Sequence, residues 1–100
     1  MYKVIVTDDA KADLQKAYDY LETERKGLGE NLLLRIEHFL ELLQSNPKIY
    51  AFKYKNTRQV RVKPFQYLIL YKLYGNTILF FQLFHGKQHP SKKKKADTLG

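Results

Sequence analysis

Cysteine and tryptophan are absent from this 100-residue chain, and methionine occurs once. Without cysteine there is no disulfide framework and no thiolate metal site. Long apolar runs are missing as well. The longest fall far short of the ~18–20 residues that a membrane-spanning helix needs. Asp8 and Asp9 cut short the run opened by Val4-Ile5-Val6, so no secretory leader is expected and the cytoplasm is the expected compartment. The most telling shortage is of acid in the second half. Up to Pro47 the chain carries six basic and nine acidic residues, a net −3; from Lys48 onwards it carries twelve basic residues and a single acid, Asp97, a net +11. The overall +8 therefore belongs to the second half, and such one-sidedness points to an acidic or polyanionic partner.

What is present suffices for one folded domain. Hydrophobic residues make up 44% and aromatics 14%, a globular composition. A chain of this length buries roughly 60–65% of its unfolded surface. Tyr2 to Val6 is β-branched and predicts a strand. Thr7 or Asp8 then caps a helix whose apolar face is Ala10, Leu14, Ala17, Tyr18 and Leu21, ending near Arg25 before Gly27 and Gly29. A second helix is predicted from Leu28 to Ser45, with Leu32 or Leu33, Ile36, Phe39, Leu40 and Leu43 inward. Asn46-Pro47 stops it, because proline disfavours the helical conformation in the residue before it. Residues 48–56 show no period and read as a loop. Three strands follow, at Thr57–Lys63, Tyr67–Leu73 and Thr77–His85, the last apolar on both faces. The expected fold class is α+β with the order β-α-α-β-β-β, a helical hairpin packed on one face of a small, mainly antiparallel sheet. Residues 1–90 form the expected single domain and 91–100 a basic tail containing Lys92 to Lys95.

The familiar catalytic signatures do not occur. Gly27-Leu28-Gly29 lacks the third glycine and the preceding strand of a phosphate loop, and Ser45 and Ser91 lie in no nucleophile motif. The helix carboxylates, among them Asp13, Glu22 and Glu37, read as a solvated surface, as does His38. His85 and His89 are four residues apart, a metal-binding spacing on a helix, but Gly86 lies between them and Pro90 follows, so neither a metal site nor a cofactor is expected. The informative set is basic residues interleaved with aromatics. Lys53, Lys55, Arg58, Arg61, Lys63, Lys72 and Lys87 alternate with Tyr50, Tyr54, Phe65, Tyr67, Tyr71 and Tyr74. Cations that contact phosphate beside rings that stack on bases suit RNA or single strands. The same parts can build a metal-free ribonuclease, which needs a base, cations at the phosphorane and an acid. Most of Tyr67, Tyr71, Phe80 and Phe84 are nonetheless assigned to packing.

In order and spacing these pieces resemble the RelE/ParE superfamily, the toxins of bacterial type II toxin–antitoxin (plasmid stabilisation) modules. The resemblance rests on Tyr2-Lys3-Val4-Ile5-Val6-Thr7 with Ala10, Asp13, Leu14, Ala17, Tyr18 and Leu21; on Leu43 with Asn46-Pro47; on Arg61 with Phe65-Gln66-Tyr67-Leu68-Ile69-Leu70-Tyr71; and on Leu83-Phe84-His85-Gly86-Lys87-Gln88-His89-Pro90. It implies a growth-arresting toxin neutralised by an antitoxin encoded beside it. RelE-like members cleave messenger RNA in the ribosome, whereas ParE-like members inhibit DNA gyrase. Leu68 and Gln88 stand where the ribonucleases tend to carry arginine, so the ParE-like side is favoured. On that side Lys53, Lys55, Arg58, Lys63, Tyr71, Lys87, Gln88 and His89 are the expected target- or nucleic-acid-binding residues. A RelE-like ribonuclease would instead rely on Arg61 and His85 as catalytic residues, so whether the protein is an enzyme stays open. A non-toxic basic nucleic-acid-binding module is the third reading. The expected partners are an antitoxin and either gyrase or ribosome-bound messenger RNA, with no membrane and no small-molecule substrate.

Overall fold

The structure, a computed structural model, describes residues 2–50 and 52–86. Its first strand, β1 (Lys3–Val6), alternates as a half-buried strand should: Val4 and Val6 turn inward while Lys3 and Ile5 are exposed. Thr7 ends β1 and caps α1 (Asp8–Glu24), its Oγ1 accepting the Ala10 N–H at 3.1 Å. Asp8 and Asp9 lie in the first turn, where the helix dipole favours negative charge. Ala10, Ala17 and Leu21 are buried along one face of this helix.

The turn into α2 (Leu28–Ser45) is built from glycine and one carboxylate. Gly27 adopts φ 96°, open to glycine at little cost, and Gly29 lets the helices touch: a Cβ there would lie 2.9 Å from the Tyr18 carbonyl oxygen. The Glu22 side chain accepts the N–H groups of Gly27 and Gly29 at 3.0 and 2.8 Å, satisfying donors that a helix start leaves unpaired. Leu32, Ile36 and Leu43 form the buried stripe of α2. Both helices therefore match expectation, α2 to the residue.

The segment expected to be a loop contains a further strand, β2 (Phe52–Tyr54), which pairs antiparallel with β3 (Thr57–Val62) across a turn where Lys55 has φ 49°. Three residues offer too little alternation to read from sequence; the pairing with β3 makes them a strand. Then come β4 (Tyr67–Tyr74) and β5 (Thr77–His85). The sheet order is β1-β5-β4-β3-β2, antiparallel throughout except for β1 on β5. Apart from the short edge strand, this is the expected β-α-α-β-β-β fold, with two helices on one face of a mixed sheet.

The core lies between that face and the helices. Val60, Val62, Ile69, Tyr71, Ile78, Phe80 and Leu83 meet Ala10, Ala17, Leu21, Leu32, Ile36 and Leu43. Each fully buried large side chain contributes about 1.5–3 kcal/mol. Among the described residues, no helix is long and apolar enough to cross a membrane. Residues 91–100, the expected tail, lie outside the described part.

Candidate binding surface

Among the described residues, no helix lies on the opposite face of the sheet. Successive side chains along a strand point to opposite sides, so the pairing register assigns its residues. One row runs Arg61, Leu68, Phe84; a second runs Gln59, Leu70, Gln82; a third runs Lys72, Leu79, Ile5. Leu68 is buried to 9% exposure yet stands outside the core cluster, as its place on this face requires. Ile5 is 43% exposed at the β1 end. Lys72 lays its ammonium 5.0 Å from the centre of the Phe81 ring, a cation–π contact that keeps its charge at the surface over an apolar base. The face is thus an apolar stripe with Arg61 and Lys72 set into it.

The register also separates two expected partners. Val62 pairs with Tyr67 and Tyr67 with His85, whereas Arg61 pairs with Leu68 and Leu68 with Phe84. Arg61 is exposed on the open face; His85 points to the helix side, its ring edge-on to Tyr67 with centroids 4.9 Å apart. The two candidate catalytic residues therefore stand on opposite faces. Among the described residues, no group of three or more His, Asp or Glu is arranged to hold a metal ion.

The remaining expected contacts divide by burial. Lys63 is exposed beyond β3, and its backbone carbonyl accepts the Arg35 Nε–H at 2.9 Å. Lys55 is exposed in the turn between β2 and β3. Arg58 is half-buried, donating from Nη1 to the Tyr50 carbonyl at 2.6 Å, so part of its donor capacity holds the chain entering β2. Tyr71 is a correction: it is wholly buried, and its hydroxyl donates to the Pro47 carbonyl at 2.8 Å. Burial pushes its phenol up to about 12, against the pull of Arg58 and with Tyr50 adding to the rise. It is a core residue tying β4 to the end of α2, with no exposed surface to offer. Lys53 belongs to β2, and Lys87, Gln88 and His89 lie outside the described residues.

Sequence reasoning expects an apolar outer face on the meander but not which residues form it, because the apolar runs in β4 and β5 look alike on both faces; the register assigns Leu68, Leu70, Leu79 and Phe84 to it. The legible signal was the doubly apolar character of Thr77–His85, which demands a cover on its second side.

The profile of the family described as the ParE toxin of the type II toxin–antitoxin system, parDE, matches residues 4–90. Among solved structures, the chain is similar to one of the chromosomal ParDE toxin–antitoxin system of P. aeruginosa. That match has a TM-score of 0.74 at 17% identity, covering 85% of this chain and 96% of the other. It is also similar to the E. coli DinJ–YafQ complex, with a TM-score of 0.59 at 14% identity over 88% of this chain and 97% of that one. YafQ from E. coli strain BL21(DE3) aligns with a TM-score of 0.57 at 16% identity, again over 88% and 97%. At such identities these likenesses concern the fold. No curated protein matches in sequence.

Proposed function

Because the chain belongs to the ParE toxin family of type II toxin–antitoxin systems, we propose that it arrests growth in the cytoplasm by binding its target, DNA gyrase, and that a cognate antitoxin neutralises it. The observation that carries a binding rather than a cleaving role is the division of Arg61 and His85 between the two faces of the sheet. A hydrolytic centre needs its acid, base and cations within hydrogen-bond reach of one substrate atom. A docking surface needs apolar area rimmed by charge, which the open face supplies through Leu68, Leu70, Leu79 and Phe84 beside Arg61 and Lys72. Lysines supply most of the second-half charge, and lysine lacks the fork that grips phosphate bidentately.

The antitoxin occupies the same face in this reading. Its segment is amphipathic and acidic in part, with apolar residues along the stripe and carboxylates towards Arg61 and Lys72. Competition between antitoxin and target for one surface then accounts for neutralisation. Purified protein is expected to inhibit supercoiling by the host's own gyrase at near-stoichiometric concentration, with inhibition relieved by the antitoxin. Full supercoiling at a large excess of protein overturns the gyrase reading. Codon-phased transcript ends after induction, lost in Arg61→Ala or His85→Ala, would replace it with ribonuclease action.

A further inference from the structure

A cleft of about 570 Å³ lies at the margin of the sheet, where β1 has ended and α1 crosses the last part of β5. Asp13, Lys16, Ala17 and Tyr20 line it from α1, at the i, i+3, i+4, i+7 spacing of one helical face. Gln82, Leu83, Phe84 and His85 line it from β5, and Tyr67 from the start of β4. β1 pairs with β5 only as far as Phe80, and beyond that the Leu83 N–H is taken by the Asp13 carboxylate at 3.0 Å. The one acid of the cleft is thus partly spent on the fold.

Tyr67 is the unusual member. Its side chain is more than nine-tenths buried, yet no hydrogen bond to its hydroxyl forms among the described residues. A hydroxyl on a cleft wall without a protein partner is left to water or to a ligand. Burial raises its pKa, and the neighbouring Tyr20 phenol raises it further, so the Tyr67 hydroxyl keeps its proton at neutral pH. Tyr67, Tyr20 and Lys16 are all donors, so they call for an acceptor-rich, anionic group. The walls are rings: Tyr20, Tyr67, Phe84 and His85, with Ala17 and Leu83 between them. Aromatic walls favour a flat ring. The volume is far too large for a bare ion and falls in the range of small-molecule sites.

We propose that this cleft binds a planar ring carrying an anionic group, a ligand of nucleoside monophosphate size, through Lys16 and the Tyr20 and Tyr67 hydroxyls. The cleft adjoins the open face at Gln82 and Phe84, but the contacts proposed for the ligand, Lys16, Tyr20 and Tyr67, belong to none of its rows, so the site can be tested apart from the gyrase reading. It makes the toxin open to control by a small metabolite.

The test is titration of the full chain with the four nucleoside 5′-monophosphates, followed by calorimetry and by NMR shifts at Lys16, Tyr20, Tyr67 and His85. Inorganic phosphate and the uncharged nucleosides form separate arms. At least one monophosphate is expected to bind, with phosphate alone and nucleoside alone each weaker by about tenfold or more. Lys16→Ala and Tyr67→Phe should each weaken binding several-fold. Tyr67→Phe should leave the thermal midpoint unchanged or raise it, because no partner among the described residues is lost; that outcome separates a ligand contact from a folding role. Absence of shifts at millimolar monophosphate, equal binding by phosphate alone, or binding indifferent to both substitutions overturns the proposal. Shifts produced only by an acidic peptide, and by no monophosphate, overturn it in favour of a protein partner.

Discussion

The two faces of the sheet come from the same strands and alternate residue by residue, yet they follow different rules. On the helix side Val62, Ile69, Tyr71, Ile78 and Phe80 have no solvent exposure beyond trace, and every one has helix or strand neighbours in the core. On the open side apolar residues of similar size, Leu70, Leu79, Phe81 and Phe84, remain half-exposed. The helix side holds the fold together; the open side keeps apolar area only partly covered by the described residues. The pairing register thus separates the residues of the core from those of the face proposed above for a partner.

Substitutions sharpen that contrast. The largest effect is expected for Phe80→Ala, which removes a fully buried ring from the helix side and should cost about 3–5 kcal/mol in urea denaturation. Tyr71→Phe comes next. It strands the buried Pro47 carbonyl and should cost about 1–3 kcal/mol. It should also change the response to alkali. The folded pKa of Tyr71 is raised, so its stabilising contribution is intact below its ordinary 10.0 and is lost as pH climbs from there towards about 12. Wild-type stability should fall across that window, and the fall should be shallower in Tyr71→Phe. The smallest effect on stability is expected for Ile5→Thr on the open side, which keeps β-branching and should stay within about 0.5 kcal/mol. The same change should weaken antitoxin binding measurably by calorimetry. If Ile5→Thr destabilises the fold as much as Tyr71→Phe does, the two faces are not distinct in role.

How much of this was legible in the sequence follows from the range of the interactions. Helical periodicity and capping are local, so Thr7, the apolar faces and the stop at Asn46-Pro47 fixed both helices. The strands after Thr57 were legible for the same reason. The parallel return of β1 to β5 was not, because the partners are more than seventy residues apart and no local pattern encodes the pairing. The facing of β5 was obscured by an irregularity: Leu70 pairs with Gln82 but Tyr71 with Phe80, so an extra residue at Phe81 resets the alternation. That reset puts His85 on the helix side, which counting from Ile78 would not give. Tyr67 and Tyr71 look alike in sequence, and only the positions of the Pro47 carbonyl and the cleft distinguish a satisfied hydroxyl from an unsatisfied one. Nothing local in the sequence marks the strand end beneath Lys16 and Tyr20, so their place at the cleft emerges only from the packing of α1 on β5.

The parallel seam between β1 and β5 also bears on how the molecule comes into being. The first strand to be made pairs only with the last. Chains whose contacts join distant segments pay the loop-closure cost before the pairing rewards it. Synthesis proceeds at about 5–20 residues per second, so β1 and the helical hairpin exist for several seconds without the strand that completes their sheet. The open face is spread over β3, β4 and β5 and is likewise unfinished until the final strand is made. A nascent chain therefore carries no complete open face until β5 has been made.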